Sequence, residues 1–511
     1  MPNYLSPGVY MEEVSSGSKP IEGVGTAVAA FVGFAAQGPF NTPTLVTNWT
    51  QFTGTFGDFT EGSYLAHAVY GYFLNGGGAA YVVRIGSDTA DTGPAPAPKA
   101  ELPAAADSSR LAFSVQALEA GPAGQDITVE VLDPSEPGED TFKLVVKQGG
   151  NPVETYDNVT TKRGSNNVVT TVRQQSKLIR IEETTGKGLA VPAKSGDVAL
   201  SGGGLPAADS VSPNSYVGSS ADRTGFGGLE AVDEVTMLCV PDLMAAYQHG
   251  MLDDEGLKAV QLAMIAHCEL MADRVAILDT PPGLNAQQVK DWRVNTAGYD
   301  SKYAALYWPW IKIMDPLSGK PIHVPPSGHM AGIWARNDTT RGVHKAPANE
   351  VIRGAISLEL NITKGEHDQL NPVAVNCLRS FPGQGIRVWG ARILTSDPEW
   401  RYVNVRRLFN FVEKSILSGT NWVVFEPNDP KLWDSVRRTI TMFLRRVWRD
   451  GALFGRTPAE AFFVRCDEEN NPPENRDAGI LTVEIGIAPV KPAEFVVFRI
   501  SQFAQGAALE E

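Results

Sequence analysis

The chain has 511 residues, of which 43% are hydrophobic and 20% charged, and its formal net charge at pH 7 is −14. At about 150 residues per domain, this length predicts roughly three or four domains with sizeable cores, and the composition excludes wholesale disorder. The acidic balance argues against a nucleic-acid coat, because binding to phosphates requires a basic surface.

Residues 1–20 have the pattern of a strand that lacks a domain of its own. Strand-forming residues flank the turn Ser6-Pro7-Gly8, but too few of them are apolar to form a core. No basic leader followed by a hydrophobic core is present, so we expect synthesis in a reducing cytoplasm without an export signal. The residues expected to act as an arm are Tyr4, Leu5, Val9, Tyr10 and Val14.

A β-α-β unit follows this arm. Buried strands are predicted over Thr26–Phe34 and Ala80–Ile85, with a helix over Tyr64–Leu74 between them. The Pro/Ala-rich stretch 88–106 then predicts a semi-rigid linker.

Residues 111–200 show short alternating strands separated by Gly, Pro and Asn, which predicts a small all-β module. A second flexible stretch, 201–228, closes this module. Because both boundaries resemble those of an insertion, residues 89–222 are predicted to form an inserted β-rich domain.

Strands and helices alternate from Glu234 onward, which predicts a parallel sheet with helices on its faces. The predicted strands of this region are Val235–Val240, Arg274–Asp279 and Tyr303–Met314, and the predicted helices are Asp253–Ala272 and Asn285–Thr296. For the last third, helices are predicted at Glu399–Ser418 and Asp429–Arg449, and strands at Arg387–Leu394, Trp422–Phe425, Ala461–Cys466 and Ile480–Ile487.

The predicted fold class is a multidomain α/β (mixed α+β) fold with extended arms at both ends. Its predicted divisions are an arm at 1–20, a middle α/β domain at 21–88 plus 223–370, the insertion at 89–222, a C-terminal domain at 371–487, and a linker and strand arm at 488–511.

Catalytic motifs are absent from the sequence. Asp242 and Asp279 lie at the carboxyl ends of predicted strands, where α/β enzymes hold their ligands, but no Gly-x-Ser-x-Gly or Gly-x-Gly-x-x-Gly motif accompanies them. His323, His329 and His344 have no metal-ligand spacing, and the four cysteines form no Cys-x-x-Cys pair, which predicts buried thiols. We therefore predict no catalytic residue, no cofactor and no metal site.

The helix predicted near residues 432–449 is half apolar and half basic. Arg438, Arg445 and Arg449 fall opposite a stripe of apolar residues at helical spacing. This pattern is compatible with a solvated surface, a set of intrachain salt bridges, or a docking face for an acidic partner.

The C-terminal run 494–503 alternates as a strand covered on both faces does, and Pro489 and Pro492 make the preceding spacer extended. Strand-like arms at both ends predict subunits that complete their sheets with strands from other copies. The alternative is an ordinary hairpin between residues 480–487 and 494–501, with the N-terminus packed on the surface. The strand-arm residues are Phe495, Val496, Val497, Phe498 and Ile500.

Several long stretches resemble the contractile tail sheath family of myophage tails, R-type tailocins and extracellular contractile injection systems. They are Tyr4–Val14, Pro20–Gly38 and Gly71–Arg84 near the start, and Pro326–Asn349, Phe381–Val403, Phe425–Trp433 and Ala493–Ile500 in the last third. Residues 89–222 match no stretch of the family, whose members carry variable insertions on the outer surface.

The resemblance implies stacked hexameric rings around an inner tube, with terminal arms that join subunits by strand exchange. It implies the tube protein, baseplate proteins and terminal cap proteins as partners, without nucleic acid or membrane insertion, within a phage tail or tail-like particle. On that basis the C-terminal domain lies innermost, Arg438, Arg445 and Arg449 are tube-facing candidates, and Pro489 and Pro492 are hinge candidates. Contraction would release energy from new subunit contacts.

Two rival functions stay open at this stage. The first is a hydrolase built on the central α/β region, although no Asp, His and Ser set can be assigned to it. The second is a self-assembling or surface-binding module that does not contract, in which the insertion 89–222 recognises a glycan or cell surface.

Overall fold

The computed structural model describes residues 20–60, 62–86, 97–105, 111–118, 127–136, 138, 140–162, 164–182, 189–200 and 211–499. This part divides into two compact units. The larger unit contains residues 23–343 and 347–414, and the smaller contains residues 20–22, 344–346 and 415–499.

The strands, in chain order, are β1 (Val28–Gly33), β2 (Thr44–Val46), β3 (Ala79–Arg84), β4 (Lys99–Pro103), β5 (Leu111–Ala117), β6 (Ile127–Leu132), β7 (Thr141–Gln148), β8 (Asn151–Thr160), β9 (Ile179–Glu182), β10 (Ser195–Ala199), β11 (Met237–Cys239), β12 (Val275–Asp279), β13 (Ala304–Trp308), β14 (Ile311–Met314), β15 (Pro321–Val324), β16 (Ala355–Leu358), β17 (Val375–Phe381), β18 (Gly385–Val388), β19 (Phe462–Arg465) and β20 (Glu484–Ile487).

The α-helices are α1 (Trp49–Phe56), α2 (Leu65–Leu74), α3 (Val168–Gln175), α4 (Pro213–Val217), α5 (Asp242–Gln248), α6 (Asp254–Met271), α7 (Ala286–Asp291), α8 (Ser327–Arg341), α9 (Lys364–Leu370), α10 (Val403–Gly419), α11 (Pro430–Arg449), α12 (Pro458–Ala461) and α13 (Pro473–Asp477). In the described part, no helix is both long and apolar enough to cross a membrane.

The larger unit is organised around one mixed sheet. Its strand order is β18-β17-β13-β12-β11-β1-β3-β2. The pairs from β17 across to β3 are parallel, and the edge strands β18 and β2 pair antiparallel. The predicted mixed α/β class and the parallel sheet are therefore confirmed.

Both faces of this sheet are buried, which explains the nearly continuous apolar runs of its strands. Along β1, Ala30 and Val32 face a core shared with α6, whereas Ala29 and Phe31 face a second core shared with α2 and α8. The strand period of two residues thus assigns neighbouring side chains to opposite cores.

The described residues between 99 and 199 form two antiparallel sheets, β4-β5-β9 and β10-β6-β7-β8, around a common core. The prediction that this region is all-β is wrong, because α3 lies within it. The Asn167 side chain caps α3 by accepting the N–H of Thr170 at 3.2 Å, and Val168 and Val172 are buried one turn apart. The β-branched residues of α3 had favoured a strand, and the cap and packing outweigh that preference.

Three strand predictions need correction. The strand predicted over Tyr303–Met314 is two strands, because pairing stops at Pro309 and β14 joins the separate sheet β15-β14-β16. The strand predicted over Arg387–Leu394 ends at Val388. Of the residues predicted as a strand at Trp422–Phe425, the first two instead lie in a 3-10 turn at Asn421–Val423, and the last two follow that turn. The predicted domain boundaries stay predictions.

Candidate functional site

Helix α11 dominates the smaller unit. Asp429 caps it by accepting the N–H of Leu432 at 2.8 Å, and Pro430 stands at the first position, where no N–H is required. The predicted apolar stripe is confirmed. Its buried residues are Leu432, Trp433, Val436, Thr439, Ile440, Phe443, Leu444 and Val447.

The opposite side of α11 is exposed and basic. Arg438, Arg445 and Arg449, which we call the arginine face, all lie in solvent, and Lys431 and Met442 extend the same stripe at helical spacing. From Lys431 to Arg449 this stripe covers about 27 Å at about 1.5 Å per residue. Lys431 was not among the residues predicted from the sequence, although its spacing of seven from Arg438 was the available signal.

The arginine face has no carboxylate within ion-pair distance in the described part of the chain. By contrast, Arg437 on the flank of α11 pairs with Asp434 at 2.5 Å. Among the described residues, the interpretation of the face as a set of intrachain salt bridges therefore does not hold. The two other interpretations of the arginine face, a solvated surface and a docking face for an acidic partner, remain.

The start of α11 is fixed to the rest of the smaller unit by Asn428. Its side-chain oxygen accepts the indole N–H of Trp433 at 2.7 Å, and its side-chain amide donates to the Ile480 carbonyl at 3.1 Å. Arg476 lies over the Trp433 ring at 5.9 Å. These contacts hold the loop before α11 in a defined position.

A two-stranded antiparallel sheet, β19-β20, accompanies α11. Phe462 to Arg465 pair in register with Ile487 to Glu484. Within the described residues each strand has one neighbour, so each has one edge on which its N–H and C=O groups are not used by a ladder. Open edges of this kind can accept a further strand.

The chain continues after β20 through a short ladder of backbone hydrogen bonds. Ala488 donates to Ala461 at 2.8 Å, Pro489 bridges to Leu453, and Val490 donates to Ala452 at 3.2 Å. Pro489 is thus part of a ladder, whereas Pro492 follows the last backbone hydrogen bond of this ladder.

Beyond Pro492, the described part of the C-terminal strand arm contains neither helix nor strand. Phe495, Val496, Val497 and Phe498 are 73%, 68%, 78% and 84% exposed, so both sides of the run face solvent. The hairpin alternative is wrong for the described residues, because 484–487 pair with β19 and not with this run. Ile500 and the N-terminal arm residues Tyr4, Leu5, Val9, Tyr10 and Val14 lie outside the described residues.

The two carboxylates that could have marked an enzyme site are buried and hold helix starts. Asp242 accepts the N–H of Phe34 at 2.6 Å and that of Leu65, at the start of α2, at 3.2 Å. Asp279 accepts the N–H of Ser327, the first residue of α8, at 2.9 Å. Burial raises the pKa of Asp242 to about 6 and that of Asp279 to about 7. Carboxylates enclosed in this way serve as helix caps.

The smaller unit thus presents an exposed basic helix side and, at residues 495–498, an exposed apolar run, which are features typical of a subunit that assembles with other chains. Two family models match the chain: the phage tail sheath protein central domain over residues 229–393, and the phage tail sheath C-terminal domain over residues 395–503. Together they account for more than half of the sequence. The chain therefore belongs to the phage tail sheath family, as its sequence resemblance had predicted.

Individual relatives agree with this assignment. The tail sheath protein of Burkholderia phage BcepMu is 25% identical over 97% of this chain and 96% of its own length. The tail sheath protein of Vibrio phage KVP40 is also 25% identical, but the match spans only 43% of this chain and 34% of that protein. In fold, the contracted helical sheath of the anti-feeding prophage is similar at a TM-score of 0.59 and 23% identity, over 98% of this chain and 99% of the other.

Proposed function

We propose that this sheath subunit polymerises as stacked hexameric rings around an inner tube and contracts to drive the tube through a target envelope. The observation that carries the proposal is the C-terminal strand arm, in which four consecutive apolar residues from Phe495 to Phe498 are at least 68% exposed. Such a run is costly in water, and burial in a neighbouring copy removes that cost.

Strand exchange gives the arm a specific partner. The open edges of β19-β20 offer main-chain N–H and C=O groups, and an incoming strand satisfies them while its alternate side chains pack on the two faces. In the proposed sheath, the arms at 1–20 and 488–503 of neighbouring copies supply these strands. Head-to-tail contacts of this type extend into helical assemblies.

Contraction then requires a hinge between the folded body and each arm. Pro489 and Pro492 flank the point where the ladder after β20 ends. The segment 491–493 is therefore the proposed hinge, and Pro489 is the position at which the chain is still held by the folded unit. Folded domains would move as rigid bodies while exchanged strands keep their hydrogen bonds. The energy comes from new contacts between subunits.

The arginine face is the proposed tube-docking surface. Unpaired, exposed guanidinium groups on a rigid helix suit carboxylates of an acidic tube, because each can form bidentate charge-assisted hydrogen bonds. Baseplate and terminal cap proteins are further proposed partners, and neither nucleic acid nor membrane insertion is part of the proposal. The role is mechanical and not catalytic, which the buried, cap-forming Asp242 and Asp279 support. The insertion 89–222 is proposed to be outer decoration.

Strand exchange by the arm is tested by removing its backbone donors. Val496→Pro with Val497→Pro deletes two adjacent N–H groups that point to opposite sides of a strand, so whichever side pairs loses a donor. We expect folded subunits, unchanged in circular dichroism, that no longer form sheaths in negative-stain images. The matched control Val496→Thr with Val497→Thr keeps both donors and β-branching and should still polymerise. Long sheaths from the proline variant would refute strand exchange by this segment.

Tube docking is tested by charge reversal. R438E/R445E/R449E should raise the dissociation constant for the tube, measured by co-sedimentation, at least about tenfold, which corresponds to about 1.4 kcal/mol. Because all three side chains are exposed, the free energy of unfolding should change by less than about 0.5 kcal/mol per site. The control R173E/R223E/R341E makes the same charge change at exposed arginines of the larger unit and should bind normally. Equal binding by both triple variants would reject the docking role.

A further inference from the structure

The side chain of His67, on α2, has a hydrogen-bond acceptor at each of its two ring nitrogens. Its Nε2 lies 3.1 Å from a carboxylate oxygen of Asp315, in the turn between β14 and β15, and the two side chains are only 7% and 9% exposed. Its Nδ1 lies 3.2 Å from the carbonyl oxygen of Ser63, just before α2. Because a carbonyl oxygen and an ionised carboxylate only accept hydrogen bonds, both bonds form only when both ring nitrogens carry a proton.

The turn between β14 and β15 keeps Asp315 in its charged form. Asp315 accepts the backbone N–H groups of Leu317 and Ser318 at 3.1 Å each, and the Ser318 hydroxyl at 2.6 Å. Burial opposes the charge, but the hydrogen bonds from Ser318, His67 and Leu317 outweigh it and lower the pKa of Asp315. The carboxylate is therefore an acceptor throughout the pH range in which histidines titrate, around about 6.5.

A neutral imidazole has one donor and one acceptor, so it cannot satisfy both partners. If Nδ1 keeps the proton, the Nε2 lone pair faces the Asp315 carboxylate. If Nε2 keeps it, the Nδ1 lone pair faces the Ser63 carbonyl oxygen. Either tautomer brings two buried acceptors together without a proton between them, which is unfavourable. Loss of one proton from His67 therefore weakens the connection between α2 and the turn.

The other groups around His67 in the described part of the chain do not supply this proton. On α8, His329 is buried, and burial together with the charge of His67 lowers its pKa to about 3. The loop before α2 contributes the uncharged Phe59 ring, with the ring centroids 4.7 Å apart, and α1 and β1 carry no charged residue. Asp242 accepts the Ser63 hydroxyl at 2.9 Å, and burial raises its pKa to about 6. Asp242 thus titrates in the range of a histidine, and an experiment must separate the two.

We propose that the contact between His67 and Asp315 is a pH-sensitive switch, which fixes the turn 315–320 to α2 when His67 is doubly protonated and frees the turn when one proton is lost. The switch works within one subunit. Leu317 in the turn and Met314 at the end of β14 are each 50% exposed, so the switch sets the position of two apolar side chains at the surface.

The contact stabilises the subunit only between two limits of pH. It is complete below the titration of His67, and its contribution is lost as the pH rises through that titration. At the acid limit, the contribution is lost as the pH falls through the lowered pKa of Asp315. Mildly acidic solution therefore favours the fixed turn, and alkaline solution favours the free turn.

Urea unfolding of the free subunit at about pH 6 and about pH 8.5 tests the energetic part of the switch. Over this interval the unfolding equilibrium constant of the wild type should rise at least about tenfold more than that of His67→Gln, which has no proton to lose. Asp242 and Asp279 titrate in both proteins, so their effect cancels in the comparison. The control His323→Gln removes an exposed histidine of β15 and should keep the pH dependence of the wild type. The same pH dependence in His67→Gln as in the wild type would overturn the switch.

Hydrogen exchange of the turn tests the structural part. After correction for intrinsic rates, residues 315–320 of the wild type should exchange at least about tenfold faster at about pH 8.5 than at about pH 6, and those of His67→Gln equally fast at both. Asp315→Asn keeps the histidine and offers a neutral partner, so it should also lose the pH dependence, and it decides the matter if His67→Gln does not fold. Equal protection of the wild-type turn at both pH values, or an unchanged pH dependence in Asp315→Asn, would overturn the proposal.

Discussion

Replacing Asp338 with asparagine is expected to lower the free energy of unfolding by about 3–5 kcal/mol, because it breaks a buried ion pair by removing one charge. Asp338 on α8 pairs with Arg407 on α10 through two bonds of 2.8 and 2.6 Å, and both side chains are 4% exposed. The Thr26 hydroxyl donates to Asp338 at 2.6 Å, and Arg407 donates to the Thr26 carbonyl at 2.8 Å. Without the carboxylate, the guanidinium group stays buried and uncompensated. Chemical denaturation of the free subunit measures the loss.

Two controls decide whether burial of the ion pair causes the expected loss of stability in Asp338→Asn. Asp434→Asn breaks the exposed pair with Arg437, whose side chains are 58% and 46% exposed, and should cost at most about 1 kcal/mol. The double variant Asp338→Leu with Arg407→Met removes both charges and should be less destabilised than Asp338→Asn alone. If Asp338→Asn cost no more than Asp434→Asn, the pair would not be a stabilising contact.

The sequence predicts those features whose signal is local and periodic. The apolar stripe of α11 repeats over the helix, so both its buried side and the exposed Arg438, Arg445 and Arg449 follow from spacing. The parallel strands follow from apolar runs that alternate with helices, since a strand covered on both faces needs no polar side. The apolar, alternating composition of the run Phe495 to Phe498 predicts a strand covered on both faces, and this stays a prediction, because the run is exposed and forms no strand among the described residues.

Features that depend on distant partners could not be predicted in this way. Asp338 and Arg407 are separated by 69 positions, and nothing near either residue identifies the other. The strand predicted at Trp422–Phe425 was wrong because apolar and β-branched residues favour strands on average, whereas Phe425 takes a left-handed turn. Local strand preference was also misleading at α3, where an asparagine cap and two buried valines outweigh the preference of β-branched residues for strands.

The packing of α2 against α8 explains why small residues recur in the stretch Pro326–Asn349 that resembles the sheath family. A Cβ added to Gly328 would fall well inside 3.0 Å of the Ala68 backbone, and one added to Gly332 would meet the Tyr72 carbonyl oxygen as closely. The two helices therefore touch backbone to backbone. Rotation of a side chain cannot relieve such a clash, so the helices would have to separate.

Gly332→Ala is accordingly expected to lower the free energy of unfolding by about 1–3 kcal/mol, and Gly332→Val by more, through overpacking in a buried contact. In an unconstrained helix interior the same glycine-to-alanine change stabilises by about 0.5–1 kcal/mol, so the expected sign is reversed. Thermal and urea unfolding of the free subunit measure the change in the free energy of unfolding for Gly332→Ala and for Gly332→Val.

Gly365 provides the matched control, since it lies in the short helix α9 with open space around the position of a Cβ. Gly365→Ala should therefore be neutral or stabilising under conditions in which Gly332→Ala is destabilising. Equal, stabilising effects at both positions would mean that α2 and α8 are farther apart than a backbone contact allows. In that case the small residues of α8 would need a reason other than packing, such as a contact made only in the assembled sheath.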